Sequence, residues 1–126
     1  MRIGELSART GVSQRSLRYY EQQGLLSSRR AASGQRHFED AHVIRVHLIQ
    51  EFLAAGLCTR TIAGMVPCLV TPSVNEAHRS LAIMTREQAR IASAIGALTA
   101  ALRALDHMID VNRAYLVGHE GQPRRP

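Results

Sequence analysis

The chain has 126 residues, a formal net charge of +6, two cysteines, and 16 basic residues that are all arginine. That length suits one compact domain plus one extended element, and the charge points to an anionic partner, most commonly nucleic acid for a small basic protein. No apolar run reaches the length of a membrane span, and no Gly-rich phosphate loop, paired-carboxylate site or nucleophile–base set marks an enzyme. The charge is uneven: residues 1–45 carry a net +4 and residues 46–126 a net +2. The opening Met1-Arg2-Ile3-Gly4-Glu5 lacks the apolar stretch of a secretory signal. The expected location is the cytoplasm, where Cys58 and Cys68 would be reduced thiols rather than a disulfide.

Ile3 to Arg9 reads as a first helix, with Ile3 and Leu6 on one face and Gly4 able to cap its start. Thr10-Gly11-Val12 is the break, and Gly11 supplies the positive φ that a tight inter-helix turn needs. A second helix starts after Ser13, a good N-cap, and stops at Gly24, which can close a helix in the left-handed conformation. Within it Arg15, Arg18, Tyr19 and Gln22 fall at i, i+3, i+4 and i+7 and share a face. Val12, Leu17 and Tyr20 can turn toward a core. Two short helices joined by a few residues containing glycine form a helix-turn-helix.

From Leu25 to Phe38 the helical period fails. Ser33-Gly34 is a turn signal, and short extended pieces around it would make a small hairpin, a wing, carrying Arg29, Arg30 and Arg36. Glu39-Asp40 opens a third helix, where acids complement the helix dipole. It runs to about Ala55 along Val43, Val46, Ile49 and Leu53, widened by Ile44, Leu48 and Phe52, and stops at Gly56. Thr59 is the expected cap of a fourth helix through Ile62, Met65 and Val66, which Pro67 ends or kinks. Cys68 to Asn75 is then a linker.

From about Glu76 the pattern changes. Leu81, Met84, Gln88, Ile91, Ile95, Leu98, Leu102, Leu105, Ile109, Asn112 and Leu116 alternate spacings of three and four, a heptad seam. At about 1.5 Å per residue, a helix over 76–116 would extend roughly 60 Å. No small domain covers such a stripe, so a second copy of the chain is the economical partner. Residues 117–126 read as a disordered tail.

Ile3-Gly4-Glu5-Leu6, Thr10-Gly11-Val12-Ser13, Leu17-Arg18-Tyr19-Tyr20-Glu21, Gly24-Leu25-Leu26, Arg29-Arg30, Gly34-x-Arg36, Phe38 and Ala55-Gly56-Leu57 closely resemble the N-terminal half of the MerR family of bacterial transcriptional regulators. The match covers about residues 2–67, and the helix over 76–116 matches the family's dimerisation helix in place and length. The resemblance implies a mainly α fold. A winged helix-turn-helix DNA-binding domain with a small β wing (1–70) leads through a linker (71–75) to a long dimerisation helix that pairs as an antiparallel coiled coil (76–116). It implies a homodimer, without a cofactor, that binds a pseudo-palindromic operator in a long promoter spacer. Such a dimer activates or represses by bending and undertwisting double-stranded DNA so that RNA polymerase can engage both promoter elements.

Arg18 is the first candidate for DNA contact and Arg15 the second, since arginine reads guanine or grips phosphate. The competing reading is a solvated helix face, or an ion pair of Arg18 with Glu21. Tyr19 would reach a phosphate through its hydroxyl, while Tyr20 is open between core and contact. Ser13 is a cap; Ser16 and Gln14 lie near enough to the helix start to touch DNA. Arg36 corresponds to the family's wing arginine, which implies a phosphate contact, with Arg29 and Arg30 as secondary candidates. Gln35 stands where the family usually has an aromatic, and Phe38, in place of a tyrosine, would pack the wing against the helices.

Cys58 is read first as a small packed hydrophobe and, as the alternative, as a second candidate sensor thiol beside Cys68. Cys68, at the hinge before the long helix, is the candidate for sensing oxidant, or metal with His78 or His107. The effector is not identified by the sequence. Ligand-binding members carry a separate domain after the coil, so an effector here is expected at the hinge, at the dimer interface, or as another protein. A different class stays open: a basic coiled-coil adaptor whose helix-turn-helix binds protein.

Overall fold

The apolar positions at helical spacing in the N-terminal part of the chain converge on one core. The computed structural model describes residues 1–30, 32 and 34–121. In chain order they form α1 (Ile3–Thr10), α2 (Gln14–Gln22), β1 (Arg29–Arg30), β2 (Arg36–His37), α3 (Asp40–Ala54), α4 (Thr59–Ala63), α5 (Val66–Val70) and α6 (Val74–His119). The fold class is the expected one: mainly α, with a helix-turn-helix, a small wing and a long C-terminal helix. The chain divides into two compact units, Met1–Thr85 and Arg86–Pro126.

In the first unit α1 packs against α2 and α3, and α3 against α4. Leu6, Leu17, Leu25, Phe38, Val46, Ile49 and Ile62 lose all their exposed surface there. The turn between α1 and α2 is stitched by short polar side chains. Ser7 Oγ donates to Val12 O at 2.6 Å, and Thr10 Oγ1 donates to Leu6 O at 2.8 Å and accepts from Val12 N at 3.3 Å. Gly4 does not cap α1; Arg2 is the N-cap, without a side-chain bond, and Gly4 lies in the first turn.

Ser13 caps α2 as expected, its hydroxyl accepting from Ser16 N. The far end closes by a Schellman motif: Gly24 N–H donates to Glu21 O (3.1 Å) and Leu25 N–H to Tyr20 O (2.9 Å), with Gly24 at φ 77°. Tyr20 and Leu25, one on either side of that turn, both enter the core. The chain then crosses to the wing, where β1 and β2 pair antiparallel with Arg29 opposite His37 and Arg30 opposite Arg36. Of the expected turn Ser33-Gly34, Ser33 lies outside the described residues.

Four local expectations are corrected. Cys58, not Thr59, is the N-cap of α4. Pro67 does not end that helix; it lies in the first turn of α5, where its missing N–H costs nothing. Cys68 is therefore helical rather than in a linker. Ile44 does not widen the buried side of α3, since 66% of its surface is exposed.

Helix α6 starts at Val74, inside the stretch read as a linker. The cause is Ser73, which accepts from Glu76 N at its Oγ (3.1 Å) and from Ala77 N at its carbonyl (2.9 Å). In its first turns Ser80 is buried and Ile83 packs against the core. Neither belongs to the heptad seam. In the second unit the helix runs on to His119, so residues 117–119 are helical where a tail was expected, and residues 122–126 lie outside the described residues. Leu98, Leu102 and Tyr115 are there 60–70% exposed. No helix among the described residues is long and apolar enough to cross a membrane.

Candidate nucleic-acid interface

The burial of Leu17 and Tyr20 fixes the rotation of α2 and so decides which side chains face out. Arg15, Arg18 and Gln22 are exposed, and Tyr19 is 46% exposed. Among the described residues neither arginine has an acidic partner; the alternative pairing of Arg18 with Glu21 does not form. The first turn of α2 also carries no acid, so the positive end of its dipole is left uncompensated. A short helix that presents two unpaired guanidinium groups, a phenol and a positive terminus is suited to phosphate and base edges.

The other expected contacts divide. Ser16 is half-buried; its N–H donates to Ser13 Oγ (3.1 Å), and its Oγ accepts from Ser13 Oγ at 3.0 Å. Tyr20 is 5% exposed, and its hydroxyl accepts from Gln50 Nε2. It is a core residue, not a surface contact. Burial pushes its phenol above the ordinary value, and the Gln50 bond opposes that shift. Tyr19 and Tyr20 thus have opposite environments although they are adjacent, their rings 6.5 Å apart and tilted by 54°.

On the wing, Arg36 is not a free cation. Its Nη1 lies 3.4 Å from Glu21 Oε1, and Ser28 Oγ donates to Glu21 Oε2 at 2.9 Å. Sequence reasoning weighed Glu21 only against Arg18, one turn away on its own helix; the partner lies across the hairpin. Arg29 Nη1 stands 3.8 Å from Glu39 Oε1, with the arginine side chain 81% exposed. Phe38 packs at the base of the wing with no exposed surface, its N–H donating to Met1 O at 2.6 Å.

His42 is a residue that sequence reasoning missed. Its Nδ1 accepts from Glu39 N, and its Nε2 lies 2.9 Å from Ser27 O. An Nδ1 that accepts leaves Nε2 to carry the proton and donate. The ring thereby ties the start of α3 to the segment entering β1. The signal was present as a histidine at the third position of a helix begun by Glu39-Asp40.

Cys58 is exposed rather than packed, which corrects its reading as a small hydrophobe. Its Sγ lies 3.2 Å from Thr61 Oγ1, and hydrogen bonding from Thr61 holds the thiol below its ordinary value. Cys68 is half-buried on α5. Among the described residues no three His, Cys, Asp or Glu side chains converge as a metal site.

The family model of the MerR HTH family regulatory protein matches residues 1–67. The nodulation protein NolA of Bradyrhizobium sp. (strain NC92) is 40% identical over 62 residues, 48% of this chain and 26% of that protein. The mercuric resistance operon regulatory protein of Bacillus cereus is 29% identical over 90 residues, 71% of this chain and 57% of that protein. The chain therefore spans between 26% and 57% of the length of these relatives. A solved structure of a Listeria monocytogenes chain assigned to the MerR family of transcriptional regulators superposes with a TM-score of 0.65 at 24% identity, covering 94% of this chain and 89% of that one. HiNmlR, a MerR family regulator lacking the sensor domain and bound to promoter DNA, superposes with a TM-score of 0.60 at 20% identity over 93% and 94% of the two chains. At such identities these two likenesses are of fold.

Proposed function

This chain is a member of the MerR helix-turn-helix family of regulatory proteins, and from that premise we propose that it regulates transcription by binding promoter DNA as a homodimer. The observation that carries the reading is the outer face of α2, where Arg15 and Arg18 stand exposed without acidic partners beside an uncompensated helix N-terminus. In this reading α2 enters the major groove. Arg18 takes a guanine edge or a phosphate, Arg15 a phosphate, and Tyr19 a phosphate through its hydroxyl. Ser16 lies at the same helix start. The wing crosses to the adjacent backbone with Arg36.

The second copy is supplied by the seam of α6. Leu98, Leu102 and Leu105 stand in solvent at 54–70% exposure, far more apolar surface than one helix tolerates without a partner. Two such helices, antiparallel, would hold two α2 helices at the spacing of a pseudo-palindromic operator. Bending and undertwisting of a long promoter spacer, read by RNA polymerase as shape, is the mode of control that fits such a pair.

Equilibrium binding to a labelled mixed-sequence DNA duplex across a salt series tests the reading. Affinity should fall steeply with salt, because phosphate contacts release counterions. Arg18→Ala should weaken binding by about 1–3 kcal/mol on a duplex selected by the wild-type protein. Unchanged affinity and salt slope in that variant would remove α2 as the recognition element, and salt-independent capture of a protein would favour the adaptor reading.

A further inference from the structure

We propose that Glu21 is a positioning residue that clamps the wing to α2, so that helix and wing meet the DNA backbone as one surface; the inference rests on the DNA-binding reading above. A carboxylate on a helix that approaches a polyanion repels it, so its presence there asks for a compensating role. The Glu21 side chain is 15% exposed, and its two oxygens are turned to two different elements. Oε2 accepts from Ser28 Oγ, in the segment leading into β1. Oε1 faces Arg36 Nη1 on β2 at 3.4 Å and, buried, accepts no aligned hydrogen bond. Arg36 is thus the charge that balances this oxygen, and a largely buried carboxylate stripped of that partner is costly.

The hairpin itself is weak. Its strands are two residues each, and an isolated hairpin is marginal at best in water. Its position must therefore come from what it touches. Phe38 secures its base through burial, and Glu21 secures β2 through charge. A guanidinium has five donors in a planar fork. With one Nη turned to Glu21, and the side chain 45% exposed, other donors of Arg36 remain for a phosphate. Held in this way, Arg36 meets the backbone from a fixed point rather than from a mobile chain, which lowers the ordering cost of the contact.

The test is the salt dependence of binding to a fluorescein-labelled mixed-sequence DNA duplex, measured for wild type, Glu21→Gln, Arg36→Gln and the double variant. Glu21→Gln removes a negative charge from the DNA-facing unit, so simple electrostatics predicts tighter binding. The clamp predicts the reverse: about tenfold weaker binding and a salt slope shallower by about one phosphate contact. Arg36→Gln should lose the same contact, and the double variant should be no worse than the weaker single one. A Glu21→Gln slope equal to or steeper than wild type overturns the clamp, whatever happens to thermal stability, because a merely structural role moves the melting temperature and not the slope. Should Glu21→Gln fail to fold by circular dichroism, Glu21→Asp carries the test. It keeps the charge one methylene short of Arg36 and should fold with the same shallower slope; a wild-type slope overturns the proposal. A wild-type protein that ignores the duplex, or an Arg18→Ala variant that binds as wild type does, defeats the DNA-binding reading itself and this proposal with it.

Discussion

The two units of the chain bury their apolar side chains to very different degrees. In Met1–Thr85, Leu6, Leu17, Phe38, Val46 and Ile49 retain no exposed surface; in the helix beyond, Leu98, Leu102 and Met108 keep 60–70% of theirs. Full burial of one such side chain is worth about 1.5–3 kcal/mol. The first unit collects that energy within its own sequence, through short helices that could not persist separately. The second forgoes it along the exposed run of its seam. The contrast separates a part whose apolar side chains are covered within the chain from a part whose apolar side chains are left exposed by it.

The largest expected effect comes from attacking the second unit. Leu98→Asp puts a charge into the proposed seam and should convert a dimer into a monomer in sedimentation, with loss of tight operator binding. A variant that still sediments as a dimer would mean that another surface holds the copies together. Phe38→Ala attacks the first unit instead. It should cost about 3–5 kcal/mol in denaturant unfolding while leaving sedimentation as it was. A cost below about 1 kcal/mol, the lower end for small core truncations, would show the wing base to be dispensable to the core.

Tyr20→Phe is gentler and sharpens the comparison by pH. The folded state raises the Tyr20 phenol pKa, so it holds that proton more tightly than the unfolded chain does. Stability is then complete below about pH 10, the ordinary tyrosine value, and declines as pH rises through the folded value. Tyr20→Phe should lose about 1 kcal/mol from the Gln50 hydrogen bond and abolish that alkaline decline. Tyr19→Phe should do neither, and an unaltered alkaline limb in Tyr20→Phe would assign it to another group. The smallest effect is chemical. Cys58, exposed and held below its ordinary pKa by Thr61, should react with a thiol reagent faster than half-buried Cys68 and with no change in unfolding. Equal rates would contradict their different settings.

Much of this was legible in residue order, because the signals were local. Ser13 as cap, Gly24 as stop and the i, i+3, i+4, i+7 face of α2 need nothing beyond their own turns. Glycine and serine around an otherwise featureless stretch located the wing, though its two-residue strands left no periodicity to read. What escaped was set by tertiary contacts. Tyr20 and Tyr19 are chemically identical, and only the core under α2 and Gln50 of α3 separates a buried phenol from an exposed one. Glu21 has an arginine three residues before it, yet the hairpin brings Arg36 to it instead. Ile83 sits off the heptad and was passed over, since a seam read as a single stripe hides a second face used against the lobe. At Thr59 the error was one residue, because Cys58 occupies a cap without the oxygen that usually identifies one.

The adjacent tyrosines have a practical consequence. The chain has no tryptophan and three tyrosines, and each reports a different place. Tyr20 lies in the core, Tyr19 on the outer face of α2, and Tyr115 on α6 with its ring stacked on His119 at 3.9 Å. Near-ultraviolet signals, without any added label, therefore arise from three different settings: the core of the first unit, the outer face of α2, and α6 beside His119. Replacing them one at a time by phenylalanine assigns each signal to its source.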